Sequence, residues 1–164
     1  MISDDNSFGF EGEVTPVASD FLNTGIGVVR VGRRDYAIGL HWNGVDQPTR
    51  AAFEARELAA TSSFAADFFC VRQGGTPQFG LGFRAQGHKS GMPSLAAHVA
   101  SAKGGSWIGL FEVAGGYYLV AIRDDGILSE CDRFFEDPEE ARNVFEDFQG
   151  QSDWSEALAP VDVV

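Results

Sequence analysis

The stretch GFRAQGHKSG, residues 82–91, differs by one position from a phosphate-binding loop. A P-loop has the form G-x-x-x-x-G-K-[ST], in which backbone amides surround the phosphates and a helix N-terminus points at them. Gly82 and Gly87 have the required spacing, but His88 occupies the position of the lysine. The stretch therefore raises two alternatives, a nucleotide site or a glycine-rich turn.

The residues that follow His88 favour the turn. Lys89 and Ser90 come one place too late to meet a phosphate and its metal ion. Pro93 disfavours helical geometry at the preceding Met92, so the required helix cannot begin at Ser90. We expect an exposed strand-to-helix connection that contacts a partner or the chain itself. A small-molecule or nucleotide site in this stretch stays as the alternative.

Nucleophilic catalysis is the second chemistry that the sequence raises. The side chains concerned near the glycine-rich stretch are Ser90, Ser94, His88 and His98. No G-x-S-x-G elbow presents either serine as a nucleophile. Cys70 and His41 would form a catalytic pair only if the fold brought them together. With no C-x-x-C motif and no Cys/His cluster, we predict no catalytic residue, no cofactor and no metal site.

The charge balance bears on the class of partner. Twelve lysines and arginines against 24 aspartates and glutamates give the 164-residue chain a net charge of −12. This charge repels the phosphate backbone and anionic lipid surfaces, so we predict no nucleic-acid binding and no direct membrane docking. Arg30, Arg33 and Arg34 form the one basic cluster, which we interpret as solvated charges on a hairpin turn.

Aromatic residues on or beside strand-like runs suggest a protein interface, because such residues are enriched in interfaces. Successive strand side chains point to opposite faces, so some of these aromatics would face outward, while filling of the core stays an equal alternative. Together with the 82–91 stretch they supply nine candidate contact residues. These are Gly87, His88, Lys89, Ser90, Gly91, Met92, Trp42, Trp107 and Tyr117.

Short apolar runs separated by turn residues predict strands that pair as hairpins. The predicted turns are Gly32-Arg33-Arg34, Gly74-Gly75, Gly115-Gly116 and Asp124-Asp125-Gly126. Helical segments at 49–63, 92–105 and 137–149 complete the order ββ-α-ββ-α-βββ-α. Hairpins favour antiparallel pairing, so we predict an α+β fold with a largely antiparallel sheet and three helices packed on it.

Two helices carry specific signals at their first residues. Thr49 is the predicted N-cap of the first helix, with Phe53 and Leu58 facing the core. Asp137 is the predicted N-cap of the third, with Pro138 at its first position.

The chain is long enough for one domain with a substantial core. We predict an acidic leader at residues 1–24, a single domain at 25–150 and a linker or tail at 151–164. The sequence lacks a signal peptide, and Glu112 and Gly115-Gly116 interrupt its longest apolar stretch. We therefore expect a cytoplasmic chain, attached to a membrane only through a segment outside this sequence.

Several stretches, taken in order, resemble one known family. They are VGRRDYAIGLHW, FGLGF…GHKSGMPSLAAHVA, GSWIGLFEVAGGYYLVAIRDDGIL…CDRFF and EEARNVFEDF…DWSEALAP. Together they are similar to the N-terminal cytoplasmic region of the pilin accessory protein PilO family of type IVb pilus biogenesis. The resemblance runs from about Gly27 to Pro160, and residues 1–24 do not match the start of the family.

The resemblance implies a component of a pilus assembly machine at the inner membrane and brings no catalytic residues. It implies a non-enzymatic cytoplasmic scaffold that docks other pilus proteins, such as the assembly ATPase or the platform protein. Inner-membrane platform proteins of related secretion systems have actin-like cytoplasmic domains, which by analogy suggests an actin-like lobe here. Whether the chain forms a homo-oligomer is left open by the sequence.

Overall fold

The structure is a computed structural model that describes residues 27–61, 63–73 and 76–159. Over these residues the chain forms nine strands and three α-helices. The strands are β1 (Val28–Val31), β2 (Arg34–Ala37), β3 (His41–Gly44), β4 (Phe68–Arg72), β5 (Gln78–Gly82), β6 (Trp107–Val113), β7 (Gly116–Arg123), β8 (Gly126–Phe135) and β9 (Glu156–Leu158). The helices are α1 (Ala51–Ala59), α2 (Leu95–Ala102) and α3 (Pro138–Gln151), with single 3₁₀ turns at Pro48–Arg50 and Arg84–Gln86.

The strands belong to three sheets. β1 and β2 form a hairpin, a second sheet has the order β3-β5-β4, and a third has the order β8-β7-β6-β9. Every pair is antiparallel except β6 with β9, which is parallel. The predicted α+β class, with largely antiparallel pairing and three helices, is confirmed.

Turn chemistry explains the hairpins that the sequence predicts correctly. Asp124 and Asp125 connect β7 to β8 with φ angles of 51° and 68°. Left-handed geometry at both central residues matches the right-handed twist of the flanking strands, and aspartate tolerates it better than most residues. Gly115, with φ of 87°, plays the equivalent part between β6 and β7. The predicted Gly74-Gly75 turn and the leader 1–24 lie outside the described residues.

The apolar run DYAIGLHW, residues 35–42, predicts a single strand, which the structure divides in two. β2 ends at Ala37 and β3 begins at His41, and the two strands belong to different sheets. Gly39, with φ of 77°, redirects the chain between them. The break lets β2 pair with β1 while β3 continues into the sheet with β5.

Three hydrophobic clusters hold the layers together. The central cluster lies between the β8-β7-β6-β9 sheet and the remaining strands and includes most of the buried face of α2. A second cluster joins the other face of that sheet to α3, chiefly through Ala141 and Phe145. A third lies beneath α1, where Ala55 packs against Phe79 and Leu81 of β5.

The start of α1 differs from the prediction. The helix begins at Ala51 after the 3₁₀ turn, and no side chain caps it, so Thr49 is not its N-cap. Ala51 and Ala55, one turn apart, face the core. Phe53 therefore lies on the other side of the helix and is 51% exposed, which corrects its predicted burial.

The other two helices have side-chain caps. The Ser94 hydroxyl accepts a hydrogen bond from the amide of Ala97 at the start of α2. The Asp137 carboxylate accepts from the amides of Glu139 and Glu140, and Pro138 follows it, as the sequence predicts for α3. Each cap satisfies amides that the first turn of a helix leaves without partners.

The last strand falls in the stretch predicted as a linker or tail. Glu156–Leu158 pairs with Trp107–Gly109 of β6 as strand β9. Arg123 supports this segment, because its guanidinium donates to the carbonyl of Asp153 and lies 4.4 Å from the centre of the Trp154 ring. Over these residues the tail is part of the sheet.

Candidate functional site

The glycine-rich stretch 82–91 folds around a buried histidine. β5 ends at Gly82, a 3₁₀ turn follows, and Gly87 then takes a left-handed conformation with φ of 98°. This geometry turns His88 inward, where it is only 2% exposed. The prediction of an exposed connection is therefore wrong for His88, because the turn at Gly87 directs its side chain into the protein.

The partners of His88 define its protonation. Its Nδ1 accepts a hydrogen bond from the amide of Phe83 at 2.9 Å, and its Nε2 lies 3.0 Å from the carbonyl oxygen of Ile38. An atom that accepts from an amide carries no proton, and an atom that faces a carbonyl donates one, so the ring is neutral with its proton on Nε2. Burial lowers the pKa of His88 and favours the same neutral form.

The spacing of the glycines around His88 has a steric explanation. A Cβ added at Gly82 would lie 3.1 Å from Nδ1 of His88, and one at Gly27 would lie 2.7 Å from its Nε2. Both distances are shorter than an ordinary van der Waals contact, so a larger residue at either position would displace the ring. Gly82 therefore makes room for an imidazole in this fold.

The stretch differs from a P-loop in the position of its helix. α2 begins at Leu95, five residues beyond Ser90. In its first turn the amide of Ala97 already donates a hydrogen bond to the Ser94 hydroxyl. In a P-loop, the helix that follows the loop points its free amides at the phosphates. Here Lys89 and Ser90 are exposed on a connection that precedes the helix by several residues.

The structure separates the nine predicted contact residues into two groups. Those in the interior are His88, Met92, Trp42, Trp107 and Tyr117. For the three aromatics, this selects core filling from the two alternatives that strand alternation left open. The four that reach the surface at least in part are Gly87, Lys89, Ser90 and Gly91.

Cys70 and His41, the predicted candidates for a catalytic pair, do not meet. His41 and Phe69 share a row across the β3-β5-β4 sheet, and Cys70 lies in the next row with Trp42. Successive rows point to opposite faces, so Cys70 and His41 are on different sides of the sheet. Burial also raises the pKa of Cys70 to about 12, which keeps it a thiol at neutral pH.

A buried carboxylate that the sequence did not single out joins two sheets. Asp132 on β8 accepts hydrogen bonds from the amides of Gly39 and Leu40, the indole of Trp42 and the hydroxyl of Tyr118. Burial raises its pKa, and these four donors act in the opposite direction. Since all four donors come from the fold itself, Asp132 acts as a structural hub.

A strand irregularity places Asp132 inside. Between Val120 and Ile122, β7 has one residue, whereas β8 has four between Ile127 and Asp132. Such a bulge interrupts the alternation of side chains and redirects the residues that follow. The sequence signal available was slight, because an aspartate between Cys131 and Arg133 is typical of an exposed position.

The sequence gives no indication of a groove that lies beside α1. It has a volume of about 450 Å³, and its walls include Asn43 and Gly44 of β3, Phe79 of β5, and Phe53, Glu57 and Leu58 of α1. We call it the α1 groove. Because the sequence predicts Phe53 in the core, it does not predict an apolar groove on this surface.

The described part of the chain contains neither a cluster of metal ligands nor a helix suited to crossing a membrane. No group of three or more histidine, cysteine, aspartate or glutamate side chains is placed to hold a metal ion there. Over the same residues, none of the helices has the length and apolar character that crossing a bilayer requires.

This chain is similar to a protein of known structure. The crystal structure of the cytoplasmic domain of BfpC matches this chain with a TM-score of 0.69 and 25% sequence identity. The match covers 85% of each chain. BfpC is a protein of the bundle-forming pilus, a type IV pilus. No family model matches the chain, and no curated protein does. The chain is thus similar, over most of its length, to a cytoplasmic domain of a type IV pilus protein.

Proposed function

We propose that this chain is a non-enzymatic cytoplasmic docking domain of a type IV pilus assembly machine. The similarity to the BfpC cytoplasmic domain carries this proposal, because it covers 85% of both chains at 25% identity. A match of that extent concerns the whole domain, including its layers and their order, and not a local motif. The resemblance to PilO-like pilus accessory proteins also favours a role in a type IV pilus.

The use of the buried polar groups supports a binding role over a catalytic one. Asp132 and His88 are buried ionisable side chains, and the partners named above for both come from within the fold. Catalytic acids and bases need access to a substrate, usually from a cleft. Here both groups connect one part of the fold to another.

The distribution of charge supports a role in protein docking. Residues 124–156 contain twelve acidic and only two basic residues, whereas residues 27–123 contain six acidic and ten basic ones. Four of these twelve acidic residues lie on exposed positions of α3, namely Glu139, Glu140, Glu146 and Asp147. A surface of one sign speeds the approach of a partner of the opposite sign and selects its orientation.

Within such a machine, the assembly ATPase and the platform protein are the partners we propose. Both present cytoplasmic surfaces in type IV pilus systems, as the PilO resemblance implies. The membrane connection would come from a segment outside this sequence.

Retention of purified partners on the immobilised 164-residue chain tests the proposal. The ATPase and the platform protein are taken from the genome that encodes this chain, and each is applied at 150 mM salt. We expect one of them to be retained, and we expect an unrelated domain of equal net charge to retain neither. Retention of neither protein by the folded chain would contradict the docking function.

A further inference from the structure

The α1 groove has an exposed aromatic side chain at its rim. Phe53 is 51% exposed and is one of three large apolar side chains exposed among the described residues, with Val31 and Phe111. The guanidinium carbon of Arg50 lies 4.9 Å from the centre of the Phe53 ring. Leu58 and Phe79 continue the apolar surface into the groove. The groove can therefore accept an apolar side chain.

The other wall of the groove is an edge strand. β3 is the outer strand of the β3-β5-β4 sheet. The amide of Val45 donates to the carbonyl of Pro77 at 3.1 Å, so the hydrogen-bonded positions of this antiparallel pair are Val45 and, two residues earlier, Asn43. Gly44 lies between them, and its amide and carbonyl point away from β5. Since Gly44 is exposed, these groups are accessible to another strand.

A side-chain donor lies beside these backbone groups. Asn43 is one of the residues that line the groove, and its Nδ2 atom is buried and has no hydrogen-bond partner among the described residues. A buried donor without a partner costs free energy that an incoming acceptor recovers. The carbonyl of an added strand is such an acceptor.

The charge of the rim indicates the sign of the occupant. Glu54 forms an ion pair with Arg50 at 3.3 Å. Glu57, three residues further along α1, forms no ion pair with the described residues. Both carboxylates line the groove, so its rim has an excess of negative charge. A lysine or arginine beside the apolar side chain would match it.

We infer that the α1 groove binds an extended segment of a partner protein, in which an apolar and a basic residue stand two positions apart and so face the same side, by adding it to β3 as a further strand. The added backbone bonds to the amide and carbonyl of Gly44, its apolar side chain lies between Phe53 and Leu58, and a basic side chain faces Glu57. In this mode, main-chain hydrogen bonds supply affinity and alternate side chains supply specificity. The inference names the partner chemistry of the proposed docking function and, in that sense, rests on it.

Fluorescence anisotropy with a defined probe tests the groove directly. The probe is a labelled acetyl-TVTKTVT-amide peptide, whose valines and lysine share one face of a strand, and its control carries N-methyl groups on alternate residues, which remove the backbone donors of one edge. We expect the unmodified peptide to bind the 164-residue chain and the N-methylated peptide to bind at least tenfold more weakly. Equal binding of the two peptides, or binding of neither, would overturn strand addition.

Matched substitutions locate the binding. Phe53→Asp and Gly44→Pro should each weaken binding of the peptide at least tenfold, and Val31→Asp, at a residue 47% exposed, should leave it unchanged. Glu57→Lys should weaken binding more than Glu146→Lys on α3, although both change the net charge equally. All of these positions except Gly44 are exposed side chains, and proline at Gly44 removes only an amide that points away from β5. Binding that is insensitive to Phe53→Asp and Gly44→Pro would place the peptide elsewhere and overturn the inference.

The same variants separate this inference from the docking function. If the chain retains the ATPase or the platform protein and the groove variants retain it equally well, the groove inference fails while the docking function stands. If the chain retains neither protein but binds the peptide as expected, the docking function fails while the groove stands. A dimer of the chain that Phe53→Asp dissociates, without peptide binding, would show that a second copy occupies the groove and would overturn the inference.

Discussion

The carboxylate of Asp132 accepts a hydrogen bond at 2.9 Å from the indole of Trp42, a residue 90 positions earlier in the chain. Asp132 is 2% exposed and also accepts from the Tyr118 hydroxyl at 2.8 Å. Its strand, β8, is the edge of one sheet, and Trp42 lies in β3, the edge of another. Backbone hydrogen bonds hold the strands together within each sheet. The Asp132 side chain connects the two sheets to each other.

Removing the Asp132 carboxylate should destabilise the fold strongly. Asp132→Ala leaves four donors without an acceptor, three of them buried, and we expect it to lower the free energy of unfolding by about 3 kcal/mol or more. Tyr118→Phe removes only one of the donors and should cost about 1 kcal/mol. Urea unfolding measures both. Glu130→Ala, at an exposed position of the same strand, is the control and should stay within about 0.5 kcal/mol. A loss below about 1 kcal/mol for Asp132→Ala would contradict the role of a hub.

The buried His88 should make stability depend on pH. Burial lowers the pKa of His88 in the folded protein, whereas in the unfolded chain it is about 6.5. Between the two values the unfolded chain binds a proton that the folded ring excludes. The contribution of His88 is therefore fully present above about pH 6.5 and is lost as the pH falls toward the folded pKa.

Urea unfolding at pH 7.5, 6.5 and 5.5 checks this dependence. His88→Gln should reduce the decline between pH 6.5 and 5.5, and His98→Gln, at an exposed position of α2, should leave it in place. An equal decline in the wild-type chain and His88→Gln would show that the proton binds elsewhere.

Nucleotides should not stabilise the fold through residues 82–91. A ligand at one hundred times its dissociation constant stabilises the folded state by about 2.7 kcal/mol, which a thermal-shift measurement detects readily. We expect no change in Tm with ATP, ADP or GTP in the presence of magnesium, because α2 begins five residues beyond Ser90. A rise in Tm that Lys89→Ala abolishes would restore the nucleotide-binding alternative.

Local signals predicted the parts of the fold that depend on neighbouring residues. Asp124-Asp125 and Asp137-Pro138 have conformational preferences that nothing distant overrides, and the turn and the helix start form as expected. The division of the predicted strand at Gly39 depends instead on Asp132, 93 residues away, which accepts from the amide of Gly39. No local pattern contains that partner, so the break was not predicted.

The candidate site was also hard to predict where it depends on contacts between residues that are distant in the chain. Two residues decide the phase of α1, because burial of Ala51 and Ala55 turns Phe53 toward solvent. A predicted start at Thr49 gave the opposite orientation and removed the α1 groove from consideration. The 82–91 stretch was correctly interpreted as a strand-to-helix connection, but the inward turn at Gly87 that buries His88 depends on the carbonyl of Ile38, which lies elsewhere in the chain.

The two cysteines should be unreactive while the protein is folded. Both are buried free thiols, and burial raises the pKa of Cys70 and of Cys131 to about 12. The thiolate is the reactive form, and at pH 8 only about one thiol in ten thousand with such a pKa is ionised. We therefore expect DTNB to modify neither cysteine in buffer and to modify both in 6 M guanidinium chloride. Ser90→Cys supplies the matched control, because Ser90 is exposed on the connection before α2 and a thiol there should react at once. Rapid modification of the folded wild-type chain would contradict the burial of these thiols, and slow modification of Ser90→Cys would contradict the exposure of the connection.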